Sequence, residues 1–469
     1  MNKRQLVRIT ITLGLLLTMI LVPTAPVSAA DVNLRAPAIG VGSDTETVGA
    51  TWSPIATADV HLSGLSSGDR VLVISSVSTS EPDKAMIGSF RIRNHDTSLT
   101  STTFMRELTD PRDVDYGLVS VIDIFTADGD DNDAYTIEHS TNNPDIISDA
   151  TIVAIPLETL DGETERTLPS GEKEYASIDT VPNDTTWEEV GGDTNCRTPN
   201  VVVEIDSHIY VAASIESQST GGGTPTGYWR LEYSTDGFET PIVVGNAISR
   251  SMDGNNDLGN ITLIGLIESA TPNTYEFRVA HSGTTDAVQT NKVNLVAVAL
   301  NDGIHHLQAW KAEASPDTTI NTSLENVAGA TLAFTPDVSS SDLLVHSQFN
   351  MSGTTASGST SQHAITVSQG PYTTQEMFRF ISDGSDTGSG SSVGLTSITN
   401  SSCTVNLQHA IDTGTLTTST PLLLAFAAGY DTETPPIPEI PTYLMVGGGM
   451  VLVVAYYLFR RRPALARNP

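Results

Sequence analysis

The stretch Tyr275-Glu-Phe-Arg-Val-Ala-His281, followed by Leu295-Val-Ala-Val-Ala-Leu300, decides the fold because it occurs three times. Ile248-Ser-Arg250 and Ile261-Thr-Leu-Ile-Gly-Leu-Ile267 precede it. An earlier copy runs Phe104-Met-Arg106, Leu118-Val-Ser-Val-Ile-Asp-Ile124, Tyr135-Thr-Ile-Glu-His139 and Ile152-Val-Ala-Ile-Pro-Leu157. A later one runs Met377-Phe-Arg379, Val393-Gly-Leu-Thr-Ser-Ile398, Val405-Asn-Leu-Gln-His409 and Leu422-Leu-Leu-Ala-Phe426. The Arg-to-His distances are 33, 31 and 30 residues. Registration over this length marks a duplicated unit.

Working outward, Val71-Leu-Val-Ile-Ser-Ser-Val77 matches Ile209-Tyr-Val-Ala-Ala-Ser-Ile215 and Leu343-Leu-Val-His-Ser-Gln-Phe349. Phe90-Arg-Ile-Arg93, Tyr228-Trp-Arg-Leu-Glu-Tyr233 and His363-Ala-Ile-Thr-Val367 follow in the same frame. These runs are short, alternating or wholly apolar, and rich in β-branched residues. Gly, Ser, Thr, Asp and Asn separate them, as in strands joined by turns. The expected fold is therefore all-β, with three tandem β-sandwich repeats of jelly-roll or Ig-like topology. The first repeat spans 31–160 with a polar lead-in, the second 175–302 and the third 310–430.

The two ends read differently. Lys3, Arg4 and Arg8 precede the apolar run Ile9–Val22, and Ala25-Pro-Val-Ser-Ala-Ala30 supplies small residues for cleavage. This is the pattern of a secretory signal peptide, residues 1–30. At the other end a Pro-rich spacer, 431–441, leads into an uncharged run from Thr442 to Phe459. As a helix that run would rise about 27 Å, close to the thickness of a bilayer's hydrocarbon core. Arg460, Arg461 and Arg462 follow and predict a cytoplasmic tail, 460–469.

Pro438-Glu439-Ile440-Pro441, the apolar run and the three arginines together resemble the tripartite tail read by exosortase and archaeosortase enzymes, of the PEP-CTERM kind. The resemblance covers only the last thirty or so residues. It implies a sortase-like processing enzyme as a partner; a plain single-pass membrane anchor is the alternative. Both place the chain at the cell surface, on its extracellular side.

Charge narrows the partners. Between leader and tail lie 16 basic and all 55 acidic residues, a formal charge of −39. Nucleic acid and anionic membrane surfaces require a basic footprint, so neither is expected as the main partner. The membrane is expected to be met through the C-terminal helix alone. Cys196 and Cys403 fall in different repeats; one long-range disulfide and two free thiols both fit.

The recurring pairs Arg106/His139, Arg250/His281 and Arg379/His409 invite a catalytic account, but no nucleophile recurs with them. A structural role at the ends of strands is expected instead. Asp128, Asp130, Asn132 and Asp133 alternate oxygen ligands as a calcium loop does, although turn geometry alone also favours such residues. A second acidic set, Asp110/Asp113, Asp253/Asp257 and Asp383/Asp386, recurs in register. Asn183, Asn260, Asn321, Asn350 and Asn400 head N-glycosylation sequons. Trp229 is expected in the core. The sum is a non-enzymatic surface protein with a structural or adhesive envelope role, meeting a glycan or protein ligand. A polysaccharide-active or carbohydrate-binding protein and an extracellular filament subunit are the alternatives.

Overall fold

The computed structural model describes residues 33–429, apart from residues 35–36, 47–50, 82–85, 109–114, 130–132, 143–145, 158, 161–166, 182–185, 193–194, 253–256, 286, 302–307, 337–339, 355–357, 371 and 383–385. The leader, the spacer with its Pro438–Pro441 motif, the apolar tail segment and Arg460–Arg462 lie outside these residues. Among the described residues all regular structure is β-strand, paired antiparallel.

Each third of this region builds two facing sheets. In the first third one sheet runs in the order Ala38–Glu46, Ile146–Pro156, Arg70–Glu81, Asp115–Thr126. The other runs Ser53–Leu62, Asp133–Thr141, Met86–Asn94, Phe104–Leu108. Numbered along the chain, the orders are 1-8-3-6 and 2-7-4-5. The second third repeats this order around Ser207–Ser219 and Thr226–Ser234, and the third around Ser340–Gly353 and Ser359–Val367. In both later thirds the first strand is split, into Ser170–Tyr175 and Asp179–Thr180, and into Gln308–Glu313 and Asp317–Thr319.

Between each pair of sheets lies an apolar core. Phe90, Ile92 and Phe104 fill the first, Trp229 and Phe277 the second, Phe349 and Met377 the third. Each such side chain, fully buried, contributes about 1.5–3 kcal/mol.

A fourth core lies between the sandwiches. Successive residues of a strand face opposite ways. Val71 and Val73 therefore enter the first sandwich while Leu72 and Ile74 point away from it, into a cluster shared by all three thirds. Leu295 and Ala297 likewise face inward, and Val296 and Val298 face the shared cluster. Leu423 and Leu424 divide in the same way. This is why the long inner strands are wholly apolar, whereas Met86–Asn94 on an outer sheet alternates buried with half-buried residues.

The shared seam is graded. Leu72, Tyr210 and Leu344 make one layer, with Ile74, Ala212 and His346 below it. Ser76, Ser214 and Gln348 come next, and hydrogen bonds take over there. Ser120 N donates to Asn260 Oδ1 (3.0 Å), and Asn294 Nδ2 donates to Ile122 O (2.8 Å), joining the first third to the second. Gln348 Nε2 donates to Asn246 O (3.1 Å), joining second to third. Ser76 and Ser391 share a hydroxyl bond (3.2 Å), joining third to first. The three sandwiches thus close a ring within one compact unit, Val32–Tyr430. The apolar outer faces of the inner sheets bring the tandem repeats together around one shared cluster.

Candidate functional site

His139, His281 and His409 are buried inside the sandwiches rather than set at their rims. Each bonds, through Nδ1, a hydroxyl nine residues later on the facing sheet: Ser148 (3.0 Å), Thr290 (2.9 Å) and Thr418 (2.8 Å). Opposite each hydroxyl, in strand register, stands an aspartate: Asp44, Asp179 and Asp317. Asp179 Oδ2 lies 3.3 Å from His281 Nε2, and Asp317 Oδ2 3.5 Å from His409 Nε2.

In the second sandwich the direction of the relay follows from one donor. An indole nitrogen can only donate, so Trp229 Nε1 gives its hydrogen to Thr290 Oγ1 (2.9 Å). Thr290 then keeps its own hydrogen for His281 Nδ1, which places the imidazole proton on Nε2, facing Asp179. Burial alone would raise the Asp179 pKa, but the bonds from His281 and from Gly191 N hold it below its ordinary value. Asp, His and hydroxyl in line are the elements of nucleophilic catalysis. Here, however, Ser148, Thr290 and Thr418 are each 0% exposed, so the hydroxyl tethers the two sheets.

The recurring arginines are also held internally. Arg250 pairs with Asp257, and Arg379 with Asp386, seven residues on in each case across a hairpin. In each copy the arginine lies over a glycine. A Cβ on Gly259 would meet the Arg250 guanidinium at 2.3 Å, one on Gly388 would meet that of Arg379 at 2.4 Å, and one on Gly117 would meet Arg106 Nε at 2.8 Å. Asp113, like Asp110, Asp253 and Asp383, lies outside the described residues.

On the solvent side of the outer sheets, the Arg91 guanidinium sits 3.9 Å above the Trp52 ring, and Arg230 4.1 Å above Trp187. Arg91 and Arg93 hold the buried Glu138; Arg230 and Arg278 hold Glu232; Arg278 and Arg197 hold Glu189. The Phe238 ring packs against Arg197 and Arg278, its backbone at φ 67°. Trp52 and Trp187 each stand one residue before the strand position that pairs with the relay histidine. In the sequence neither tryptophan recurs in register with Trp229, and only strand pairing brings the two to equivalent places.

Other predicted sites are scattered. Of the calcium-loop residues, Asp130 and Asn132 lie outside the described residues. Asp133 is buried, with Oδ1 accepting from Asn94 Nδ2 (3.4 Å); burial, with Asp128 and Asp96 nearby, raises its pKa. Among the described residues no group of three acidic, histidine or cysteine side chains is placed to hold a metal. Asn321 and Asn400 are exposed, and Asn183 lies outside the described residues. Asn260 and Asn350 are buried in the seam. The Asn350 amide oxygen accepts from the Ser249 hydroxyl (2.6 Å) and its nitrogen donates to Gly388 O (2.8 Å). A glycan on either would require the sandwiches to part. Cys196 and Cys403 are buried free thiols in different sandwiches, and burial pushes Cys196 up to about 12.

No family model matches the chain, and no curated protein matches it. Among solved structures, an Eiger TNF from S. frugiperda aligns with 29% of this chain and 96% of its own, at 13% identity and TM-score 0.21. The Sulfolobus Turreted Icosahedral Virus structure aligns with 83% of this chain and 91% of its own, at 12% identity and TM-score 0.19. A peptide-N(4)-(N-acetyl-β-D-glucosaminyl) asparagine amidase aligns with 55% of this chain and 96% of its own, at 6% identity and TM-score 0.30. Likenesses of this size carry no inference.

Proposed function

We propose that this chain is an exported, surface-anchored protein of the cell envelope with a structural or adhesive role, and not an enzyme. Its three sandwiches, read as jelly rolls from the 1-8-3-6 and 2-7-4-5 strand orders, form one three-lobed head, and the Pro-rich spacer follows it in the chain. The observation that carries this reading is the shared seam. It joins three related sandwiches into one compact unit whose outer sheets face solvent. Such a head suits a repetitive partner, a glycan or a protein array, because each further engaged lobe raises avidity without new contact chemistry. The recurrent Arg and His support the same reading, since each histidine bonds a hydroxyl of the facing sheet and Arg250 and Arg379 pair with aspartates within the fold. The leader, the apolar tail and the acidic composition fit an exterior location, and the tail supplies the membrane attachment or the processing site.

Protease shaving of intact cells tests the location. The head is expected to be cut from outside, and deletion of residues 442–469 is expected to release it into the medium. A head protected from external protease, with residues 1–30 retained, would sink the proposal. Glycan-array binding by the released head tests adhesion, and turnover of any polysaccharide would overturn the non-enzymatic reading.

A further inference from the structure

The third sandwich departs from its sisters at one core position. The residue pairing with the relay histidine is Phe90 in the first and Trp229 in the second, but His363 in the third. His363 and His409 are both fully buried, with ring centroids 6.4 Å apart. They share a single hydroxyl: Thr418 Oγ1 lies 3.1 Å from His363 Nε2 and 2.8 Å from His409 Nδ1.

One hydroxyl hydrogen cannot serve both rings. The arrangement that satisfies Asp317 has His409 Nε2–H facing the carboxylate, Thr418 O–H donating to His409 Nδ1, and His363 Nε2–H donating to Thr418. His363 then stands where Trp229 stands and donates as it does. Its Nδ1 is left with a bare lone pair, buried and without a hydrogen-bond partner. That nitrogen is the open proton acceptor of the core.

We propose that this histidine pair is an acid-operated release, which opens the third sandwich ahead of the other two when the surroundings acidify. A proton on His363 Nδ1 would place a charge in an apolar core, stacked on the Phe349 ring at 4.0 Å. The charged groups acting on His363 are His409 and Arg379, both of which oppose protonation, and Arg379 is already paired with Asp386. Asp317 and Glu325 act instead on His409, from the two edge strands. Burial, with those neighbours, lowers the His363 pKa well below the ordinary imidazole value, and burial lowers His409 as well.

The sign follows directly. The open form binds protons that the closed form refuses, so closure is fully favoured above about pH 6.5 and weakens below it. Each such proton makes opening about tenfold easier per pH unit. His346, on a strand of the same sandwich, faces the seam and Tyr210 (2.9 Å) instead, so its own response to acid is common to the unaltered chain and to variants at His363.

Hydrogen exchange read by mass spectrometry on the full chain, at about pH 7 and about pH 5 and corrected for intrinsic rates, tests this. Peptides from 359–381 and 403–429 are expected to lose at least about tenfold more protection than the equivalent strands of the other two sandwiches. H363W, which copies Trp229, and H363F, which copies Phe90, are each expected to cut that excess about tenfold, leaving the part that His346 supplies. Equal loss in all three sandwiches of the unaltered chain would overturn the proposal whether or not the variants fold. So would an excess that is undiminished in whichever variant is folded at pH 7 by circular dichroism.

Discussion

The cores inside the sandwiches and the seam between them are made by opposite faces of the same strands, yet they obey different rules. Equivalent core positions hold similar residues: Val71, Ile209 and Leu343, or Val73, Val211 and Val345. On the middle strand of each inner sheet equivalent seam positions diverge, as Ile74, Ala212 and His346 do, or Ser78, Glu216 and Asn350, whereas the flanking strands keep Ile122, Ile264 and Val393 alike. A core closed on itself can be copied largely intact, the position of Phe90, Trp229 and His363 being the exception. Where three copies meet, a residue must complement its two counterparts. Divergence in the seam therefore fixes which lobe stands beside which.

The largest test of this contrast uses neighbours on one strand. Leu423 faces the third core and Leu424 the seam, both 0% exposed. If the seam is a true interior, Leu423→Ala and Leu424→Ala each cost about 2–5 kcal/mol in denaturant unfolding. A much cheaper Leu424→Ala would mean that the lobes do not close in solution.

The device shared by all copies should behave alike in each. Gly259→Ala and Gly388→Ala displace the guanidinium from Asp257 and Asp386, at roughly 1.5–3 kcal/mol each by thermal unfolding. Gly117→Ala, whose Cβ has more room, is expected to cost less.

The seam's asymmetry predicts a pH effect. Burial lowers His346 to about 3, so its neutral form is held in the fold. Stability present above pH 6.5 is then lost on acidification, at about 1.4 kcal/mol per pH unit for this group. Replacing the pair by His346→Leu with Tyr210→Phe is expected to flatten that slope in urea titrations at stepped pH. An unchanged slope would assign it elsewhere.

The outer faces provide the smallest effect. Trp52→Ala and Trp187→Ala each remove a ring from beneath a guanidinium at a half-exposed site. The expected loss is about 0.5–1 kcal/mol.

The strands were legible in the sequence because core alternation repeats at fixed spacing, and the Arg and His stood out because both recur. The seam was not, although its trace was visible: Leu295–Leu300 and Leu422–Phe426 are apolar at every position, which a sheet with one wet face does not require. The aspartates of the relays escaped notice because Asp44, Asp179 and Asp317 lie at unequal distances before their histidines. Only strand pairing brings them to one register. Trp52 and Trp187 were hidden for the same reason, each being one isolated residue in a variable lead-in.

The bond between Ser76 and Ser391 returns the third lobe to the first. Three lobes on separate chains would fall apart on dilution, as any trimer does. Joined head to tail by the backbone, they meet at an effective concentration that the surroundings cannot lower. A single molecule is then enough to make the whole assembly, and a cut between two lobes would leave the fragments together until something prises the ring apart.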